Sequence, residues 1–191
     1  MTEIIPRWEW RTFTNDLGIA EANIRMHPES RSRESDEVYI LSEVSPDNTK
    51  IRNDMMDVKT LRQVNEDRLE QWFPSMKTAF PLSVEDIIKV FECFRVAVPH
   101  LDRDEYSSTQ FLDEILPQSK LLKAVTVHKS RTGFSINDCS VEIAEIRTEG
   151  KVIKTAAVEM EEPEQVIETV RELKLDVFPN INYLRGLQKL Y

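Results

Sequence analysis

The residues best suited to chemistry in this sequence are charged side chains at alternate positions of predicted strands. The first example is the stretch RWEWRTF, which runs from Arg7 to Phe13. Neighbouring side chains of a strand point to opposite faces, so Arg7, Glu9 and Arg11 share one face and Trp8 shares the other with Trp10. Such a strand either covers a core with its charged side in solvent or lines a polar cavity inside a barrel.

The same alternation places charged side chains on shared faces of later strands. The pairs are Lys50 with Arg52, Asp57 with Lys59, Lys129 with Arg131, and Glu159 with Glu161, while Glu142 lies inside the strand before the last pair. In a closed barrel, the basic side chains would surround a polyanion and the carboxylates would hold Mg²⁺ or Mn²⁺. Spacing alone favours a solvated sheet face over such a cavity.

Short β segments and a few amphipathic helices must position these side chains. The predicted strands cover Arg7–Phe13, Val38–Glu43, Lys50–Asn53, Met56–Gln63, Leu69–Ala79 with an interruption at Pro74, Leu121–Ser130, Phe134–Thr148 and Lys151–Met160. The predicted helices are one capped by Thr14, one over Val84–Phe94 after Ser83, one over Asp104–Leu116, one opening at Pro163 and one over Asn180–Tyr191. About eight strands without βαβ alternation predict an α+β protein built on an antiparallel sheet or barrel.

Three segments are assigned to connections. The polar stretch from Pro28 to Asp36 has no periodic apolar residues and is interpreted as a loop. Turns are expected at Arg131–Gly133 and at Glu149–Gly150, between the last three strands.

Length and charge limit the class of protein. A chain of 191 residues can bury the core of a single domain, and a net charge of -9 argues against a broad basic surface for nucleic acid. The two cysteines, Cys93 and Cys139, have no metal-binding spacing and fit a reducing cytoplasm. The opening MTEIIPRWEW lacks the pattern of a signal peptide, and no apolar run reaches the roughly 18 residues of a membrane span.

The order and type of the motifs resemble the CYTH family, the triphosphate tunnel fold of class IV adenylyl cyclases, thiamine triphosphatases and inorganic triphosphatases. The resembling segments are RWEWRTF, at the family's N-terminal ExExK strand, then TKIRND with DVKTL, TVHKSRTGF, AAVEMEE and NINYLRGL. They span nearly the whole chain. The resemblance implies one tunnel domain over residues 1–191, an eight-stranded antiparallel β-barrel with flanking helices.

The resemblance also implies roles for individual residues. It implies phosphate contacts for Arg11, Lys50, Arg52, Lys59, Lys129 and Arg131, and metal contacts for Glu9, Glu159 and Glu161, with Glu142 as a further candidate. The implied cofactor is Mg²⁺ or Mn²⁺, and the implied ligand is a small polyanion, with neither nucleic acid nor membrane as a partner. Arg11 stands where the family has lysine, and Arg7 replaces the first glutamate of the motif.

Several interpretations stay open at the level of sequence. The chain is a metal-dependent triphosphatase, a module that binds a nucleotide or polyphosphate without turnover, or a cyclase, and Arg7 favours the second. An α+β protein with exposed basic strand faces is the fourth possibility. Trp8 and Trp10 are interpreted as core residues and not as a purine-stacking surface, and Tyr183 as part of a packed terminal helix or of the tunnel. No histidine is nominated as a catalytic base.

Overall fold

The architecture was established from a computed structural model that describes residues 5–190. Met1–Ile4 and Tyr191 lie outside the described residues, and with them the first residues of the opening segment and the last residue of the predicted terminal helix. Among the described residues, no helix is long and apolar enough to cross a membrane.

Eight strands close into an antiparallel barrel with flanking helices, which is the predicted triphosphate tunnel fold. The barrel strands are β1 (Arg7–Thr14), β2 (Glu29–Ser42), β3 (Asn48–Arg52), β4 (Met55–Val64), β5 (Glu70–Ala79), β8 (Leu122–Ile136), β9 (Cys139–Thr148) and β10 (Lys151–Met160). Around the barrel the order is β1-β10-β9-β8-β2-β3-β4-β5. A separate two-stranded sheet pairs β6 (Leu82–Ser83) with β7 (Glu105–Tyr106).

The helices occupy the connections between strands and the end of the chain. They are α1 (Ile19–Arg25), α2 (Val84–Phe94), α3 (Ser108–Gln110), α4 (Pro163–Glu172) and α5 (Tyr183–Gln188), and α3 continues through a π-helical turn (Phe111–Ile115) and a 3-10 turn (Leu116–Gln118). Helix α2 begins as predicted, because the Ser83 hydroxyl accepts a hydrogen bond from the Asp86 amide.

The barrel strands and helices fall into two compact units. The first comprises the chain up to Ser35, Arg62–Phe73 and the chain from His128 onward, and the second comprises Asp36–Leu61 and Pro74–Val127. In the first unit, Trp8 and Trp10 are buried among apolar residues of β9, β10, α1 and α4. Their predicted role in the core is therefore confirmed. The core of the second unit packs Ile40, Met56 and Val58 of the strands against the apolar side of α2.

Two connections differ from the sequence prediction. The predicted loop at Pro28–Asp36 is wrong, because Glu29 onward belongs to the 14-residue strand β2. The turn predicted at Arg131–Gly133 is also wrong: β8 continues to Ile136, and the chain turns at Asn137 and Asp138, both with positive φ. Asn and Asp tolerate this left-handed conformation, which a two-residue hairpin turn requires.

Smaller corrections concern the bounds of other elements. Helix α1 begins after Gly18 and is not capped by Thr14. Strand β5 runs through Pro74 without interruption; its pairing with β1 reaches only Trp72, so Pro74 lies beyond the segment paired with that strand. The helix predicted over Asp104–Leu116 starts later, because Glu105 and Tyr106 pair with β6 before Ser107 caps α3.

Candidate functional site

Strand register brings most of the predicted site residues of the first unit to one face of the sheet. Glu9 lies opposite Glu159 across β1 and β10, and Glu142 lies opposite Gly133 across β8 and β9. Cross-strand partners point to the same side, so this face carries Glu9, Arg11, Lys129, Arg131, Glu142, Thr155 and Glu159. The tryptophans and the apolar core lie on the opposite face.

Glu142 is the centre of this cluster. Its Oε1 accepts a hydrogen bond from Lys129 Nζ at 2.6 Å, and its Oε2 accepts one from Arg131 Nη1 at 3.1 Å. Arg11 Nη1 lies 3.7 Å from Oε1. Burial by itself would raise the pKa of Glu142, but the charges of Lys129, Arg11 and Arg131 lower it to about 2. One carboxylate is thus shared by three cations.

Arg11 connects the other two carboxylates of the cluster. Its Nε donates to Glu9 Oε1 at 2.7 Å, and its Nη2 lies 3.8 Å from Glu159 Oε1. Although burial opposes the charged form, the pKa of Arg11 is raised, because Glu9, Glu142 and Glu159 surround the guanidinium. Arg11 is therefore a permanently charged group at a position that is only 6% exposed.

The chain end closes one side of the cluster. The Arg11 amide donates to Asn180 Oδ1, and the Arg11 carbonyl accepts from the Ile181 amide at 2.6 Å. The Tyr183 ring then lies 5.2 Å from the Arg11 guanidinium and 5.1 Å from Lys129 Nζ, within the range of cation–π attraction. Of the two readings of Tyr183 left open by the sequence, the structure supports both: it belongs to a packed helix and it contacts the charged face.

A further carboxylate borders this face. Glu70 lies opposite Glu9 across β5 and β1 and accepts a hydrogen bond from Asn182 Nδ2 at 2.9 Å. Burial raises the pKa of Glu70, and the charge of Glu9 raises it further. Sequence reasoning missed Glu70. The available signal was its position in the predicted strand that contains EQWFP, which pairs with the strand of the N-terminal motif.

The second unit contains a separate charged cluster around Glu37. Glu37 is 1% exposed and accepts hydrogen bonds from Lys50 Nζ at 2.9 Å, from Arg52 Nη1 at 3.2 Å and from the Tyr39 hydroxyl at 2.8 Å. Asp57 lies 4.0 Å from Arg52. Lys50 and Arg52 therefore share a face, as predicted, but around a glutamate that sequence reasoning missed because the adjoining segment was assigned to a loop.

Lys59 shares a face of β4 with Asp57 and therefore borders the Glu37 cluster, whereas Glu161 and Arg7 lie elsewhere. Lys59 is half-buried on β4, opposite Asn48 of β3. Glu161 lies in the bend after β10 and takes part in none of the ion pairs between described residues. Arg7, at the start of β1, is exposed and lines a cavity beside the first cluster.

The arrangement of donors argues against a preformed metal site. Over residues 5–190, no group of three or more His, Cys, Asp or Glu side chains is placed to hold a metal ion. Glu9 and Glu142 are held by cationic side chains at hydrogen-bond distance, and Arg11 lies among all three carboxylates of the cluster. A divalent cation between these carboxylates would be repelled by that guanidinium, so the residues present do not fit such a metal as they stand.

The same arrangement leaves donor capacity for an anion. Within the described part of the chain, Arg131 Nε is buried and has no hydrogen-bond partner. An unpaired buried donor costs about 1–3 kcal/mol, and a phosphate oxygen is a strong acceptor for a guanidinium. The cluster is therefore suited to accept an oxyanion beside Glu142.

Comparison with known proteins gives agreement at the level of structure. No protein-family model matches the chain, and no curated protein matches it in sequence. A candidate adenylate cyclase from Bacillus halodurans has a TM-score of 0.55 at 15% identity, over 98% of this chain and 100% of that one. A conserved hypothetical protein from Pyrococcus furiosus has a TM-score of 0.53 at 16% identity, over 93% of this chain and 98% of that one. A protein from Pyrococcus horikoshii has a TM-score of 0.52 at 14% identity, over 93% and 97%. At these identities the likeness shows a shared fold, and the resemblance seen in the motifs holds at that level.

Proposed function

We propose that this protein binds the triphosphate group of a small molecule through Arg11, Lys129 and Arg131. The observation that carries the proposal is the sharing of one carboxylate, Glu142, by three buried or half-buried cations. Arg11 also donates to Glu9, but the buried Nε of Arg131 has no acceptor among the described residues. A phosphate oxygen supplies the missing acceptor in a region where water is largely excluded and charge-assisted hydrogen bonds are strong.

Binding without a resident metal is the function that this geometry supports best. In this proposal Mg²⁺ or Mn²⁺ arrives as part of the metal–triphosphate complex, because the three carboxylates of the cluster already face Arg11. Hydrolysis, which the family resemblance implies, stays a prediction. It is measured as phosphate release in the titration that tests binding. Arg7 at the place of a motif glutamate also favours the binding module.

The class of ligand follows from the phosphate oxygens, which are the part of the ligand that the cluster would contact. The named side chains address phosphate oxygens common to tripolyphosphate, ATP and thiamine triphosphate. A structural relative described as a candidate adenylate cyclase supports a nucleotide among these ligands. Lys50, Arg52 and Lys59 remain proposed phosphate contacts, and Glu9, Glu159 and Glu161 are proposed contacts for a metal ion that arrives with the triphosphate.

The test is a titration of the full chain with tripolyphosphate, ATP and thiamine triphosphate, with and without Mg²⁺ or Mn²⁺. Calorimetry and melting temperature report binding, while released phosphate and cyclic nucleotide report turnover. We expect stabilisation by tripolyphosphate without added metal. Arg131→Gln should weaken binding about 10-fold to 100-fold, because a charge-assisted hydrogen bond contributes roughly 1.5–3 kcal/mol.

The matched control is Arg147→Gln. It removes the same charge from an exposed side chain whose ion pair, within residues 5–190, is with Glu145 of the same strand, and we expect unchanged affinity. Arg131→Lys should recover part of the binding, since it keeps the charge but not the forked donor geometry. If no triphosphate stabilises or is consumed by the wild-type protein under any metal condition, the proposal is wrong.

A further inference from the structure

A cavity of about 420 Å³ adjoins the Glu142 cluster and carries arginines that the cluster itself does not use. Arg131, Glu142 and Glu159 form its common wall with the cluster, and Arg7 and Arg31 line it as well. We propose that this cavity is a second anion subsite, which takes a further phosphate of a linear polyphosphate longer than three phosphates. The inference rests on the proposed function and extends it to the class of substrate.

Arg31 is placed in the cavity by the backbone of the neighbouring strand. A Cβ atom built on Gly133 would lie 3.3 Å from Arg31 Cγ and 3.6 Å from Arg31 Nε. The stem of Arg31 therefore crosses β8 where a side chain is missing. Because Gly133 lies opposite Glu142 in the register of β8 and β9, this crossing leads toward the charged face.

The arginines of the cavity are available for a ligand. Over residues 5–190, neither Arg7 nor Arg31 takes part in an ion pair or a side-chain hydrogen bond, and both are exposed. Arg131 has its buried Nε without an acceptor. Three guanidinium groups with spare donors around one cavity are typical of a phosphate-binding site.

The acidic side chains of the cavity do not cancel this charge. Glu142 is neutralised by Lys129 and Arg131, and Glu159 faces Arg11. Asp138 is the remaining carboxylate of the lining. Arg7 and Arg31 have no acidic partner among the described residues, so one carboxylate faces two arginines. Counted together, the cavity and the cluster have an excess of one positive charge, from five basic groups, Arg7, Arg11, Arg31, Lys129 and Arg131, and four acidic ones, Glu9, Asp138, Glu142 and Glu159.

The lining favours a phosphate over a nucleobase. Its aromatic side chain, Phe134, is 2% exposed and belongs to the apolar core, so it offers no ring face for stacking. Serine hydroxyls at Ser30, Ser135 and Ser140 also belong to the lining. Hydroxyl donors beside guanidinium groups suit an oxyanion and give little contact area to a purine.

The experiment compares a linear tetraphosphate with tripolyphosphate by calorimetry, in the wild-type chain and in Arg7→Gln, Arg31→Gln and Arg147→Gln. We expect the wild type and Arg147→Gln to bind the tetraphosphate about tenfold more tightly than tripolyphosphate. Arg7→Gln and Arg31→Gln should each lose most of that gain while keeping the affinity for tripolyphosphate within about threefold. Gly133→Ala, which keeps every charge but displaces the stem of Arg31, should lose part of the gain.

The outcomes separate the two proposals. Binding of tripolyphosphate with no gain for the tetraphosphate, or an equal gain in all variants, overturns the second subsite and leaves the proposed function standing. Failure of both ligands to bind overturns the proposed function. A third outcome is that ATP, and not the tetraphosphate, binds more tightly than tripolyphosphate, and that Arg7→Gln and Arg31→Gln both abolish this difference. That result would assign the cavity to the nucleoside and refute its occupation by a phosphate chain.

Discussion

Replacing Glu142 by Gln tests the charge balance at the centre of the site. The substitution keeps the volume of the side chain but removes the carboxylate shared by Lys129, Arg11 and Arg131. Lys129 is only 4% exposed, so it would be left as a charge in a poorly hydrated place without its nearest counter-ion. We expect a less stable protein that binds triphosphate more tightly, because the phosphate then becomes the counter-ion.

Two independent arguments give the size of the stability loss expected for Glu142→Gln. The pKa of Glu142 is lowered from 4.5 to about 2 by Lys129, Arg11 and Arg131 against the effect of burial, and such a shift corresponds to about 3 kcal/mol in favour of the folded state. Removing one partner of a buried ion pair typically costs roughly 3–5 kcal/mol. For a chain of this size, a loss of about 3 kcal/mol lowers the melting temperature by about 6–12 °C.

The pH dependence has a definite sign. Glu142 binds its proton more weakly in the folded state, so it stabilises the fold at pH values above about 4.5 and loses this contribution as the pH falls toward about 2. The difference in unfolding free energy between wild type and Glu142→Gln should therefore have its maximum value at pH 7 and decrease below pH 4.5. Urea denaturation followed by circular dichroism across this range measures it.

The matched control is Glu145→Gln, on the same strand. Glu145 pairs with Arg147 at 2.8 Å, but both side chains are at least one-third exposed, 36% and 65%. Such a pair contributes at most about 1 kcal/mol. If Glu142→Gln costs no more than Glu145→Gln, or if its cost is the same at pH 3 as at pH 7, the central role of Glu142 is refuted.

Three further perturbations test the elements around the site. A Cβ at Gly186 would overlap the Phe13 ring, so Gly186→Ala should push α5 away from β1, destabilise the fold by about 1–3 kcal/mol and change the near-ultraviolet dichroism. Glu37→Gln should cost roughly 3–5 kcal/mol in urea denaturation, because Glu37 is the buried counter-ion of two cations. Ser83→Ala should cost about 1 kcal/mol by the same measurement through loss of the cap on the Asp86 amide.

Each of these has its own control. Phe13→Leu in the Gly186→Ala background should recover stability, and no recovery would mean that the ring is not the obstacle. Glu43→Gln, at an exposed position close to Glu37 in sequence, should be neutral; an equal loss in both would show that the buried charge does not matter. Ser83→Thr retains a capping hydroxyl, so it should retain most of the stability that Ser83→Ala loses.

Side-chain alternation was sufficient to predict which residues share a face. Glu9 and Arg11 lie together on the charged face and Trp8 with Trp10 in the core, as a period of two requires. The number of strands and their antiparallel connections predicted a sheet or a barrel, and the family resemblance implied the closed eight-stranded barrel that the structure has. The sharing of faces depends on local spacing, which is visible in a single sequence.

The errors arose where local signals pointed elsewhere. The stretch from Glu29 to Asp36 is polar on both faces, so it carries no alternation although it extends β2. Gly133 suggested a turn, yet its missing side chain makes room for Arg31 within a continuous strand. The loop predicted at Pro28–Asp36 ended one residue before Glu37, so the prediction did not reveal Glu37 as the centre of the second cluster.

Sharing a face does not determine what the side chains bind, and this limits any transfer of roles from the resemblance. The ExExK-like strand was expected to direct carboxylates to a metal, but Arg11 turns back two residues along β1 to hold Glu9 at 2.7 Å. An arginine at that position has a rigid fork and two terminal nitrogens, so it reaches Glu142 and Glu159 as well. Lysine presents a single ammonium and could not face all three carboxylates in the same way. Arg11→Lys should therefore free carboxylate oxygens and raise Mn²⁺ affinity measured by calorimetry; unchanged Mn²⁺ affinity in a folded Arg11→Lys protein would show that the guanidinium is not what excludes the metal.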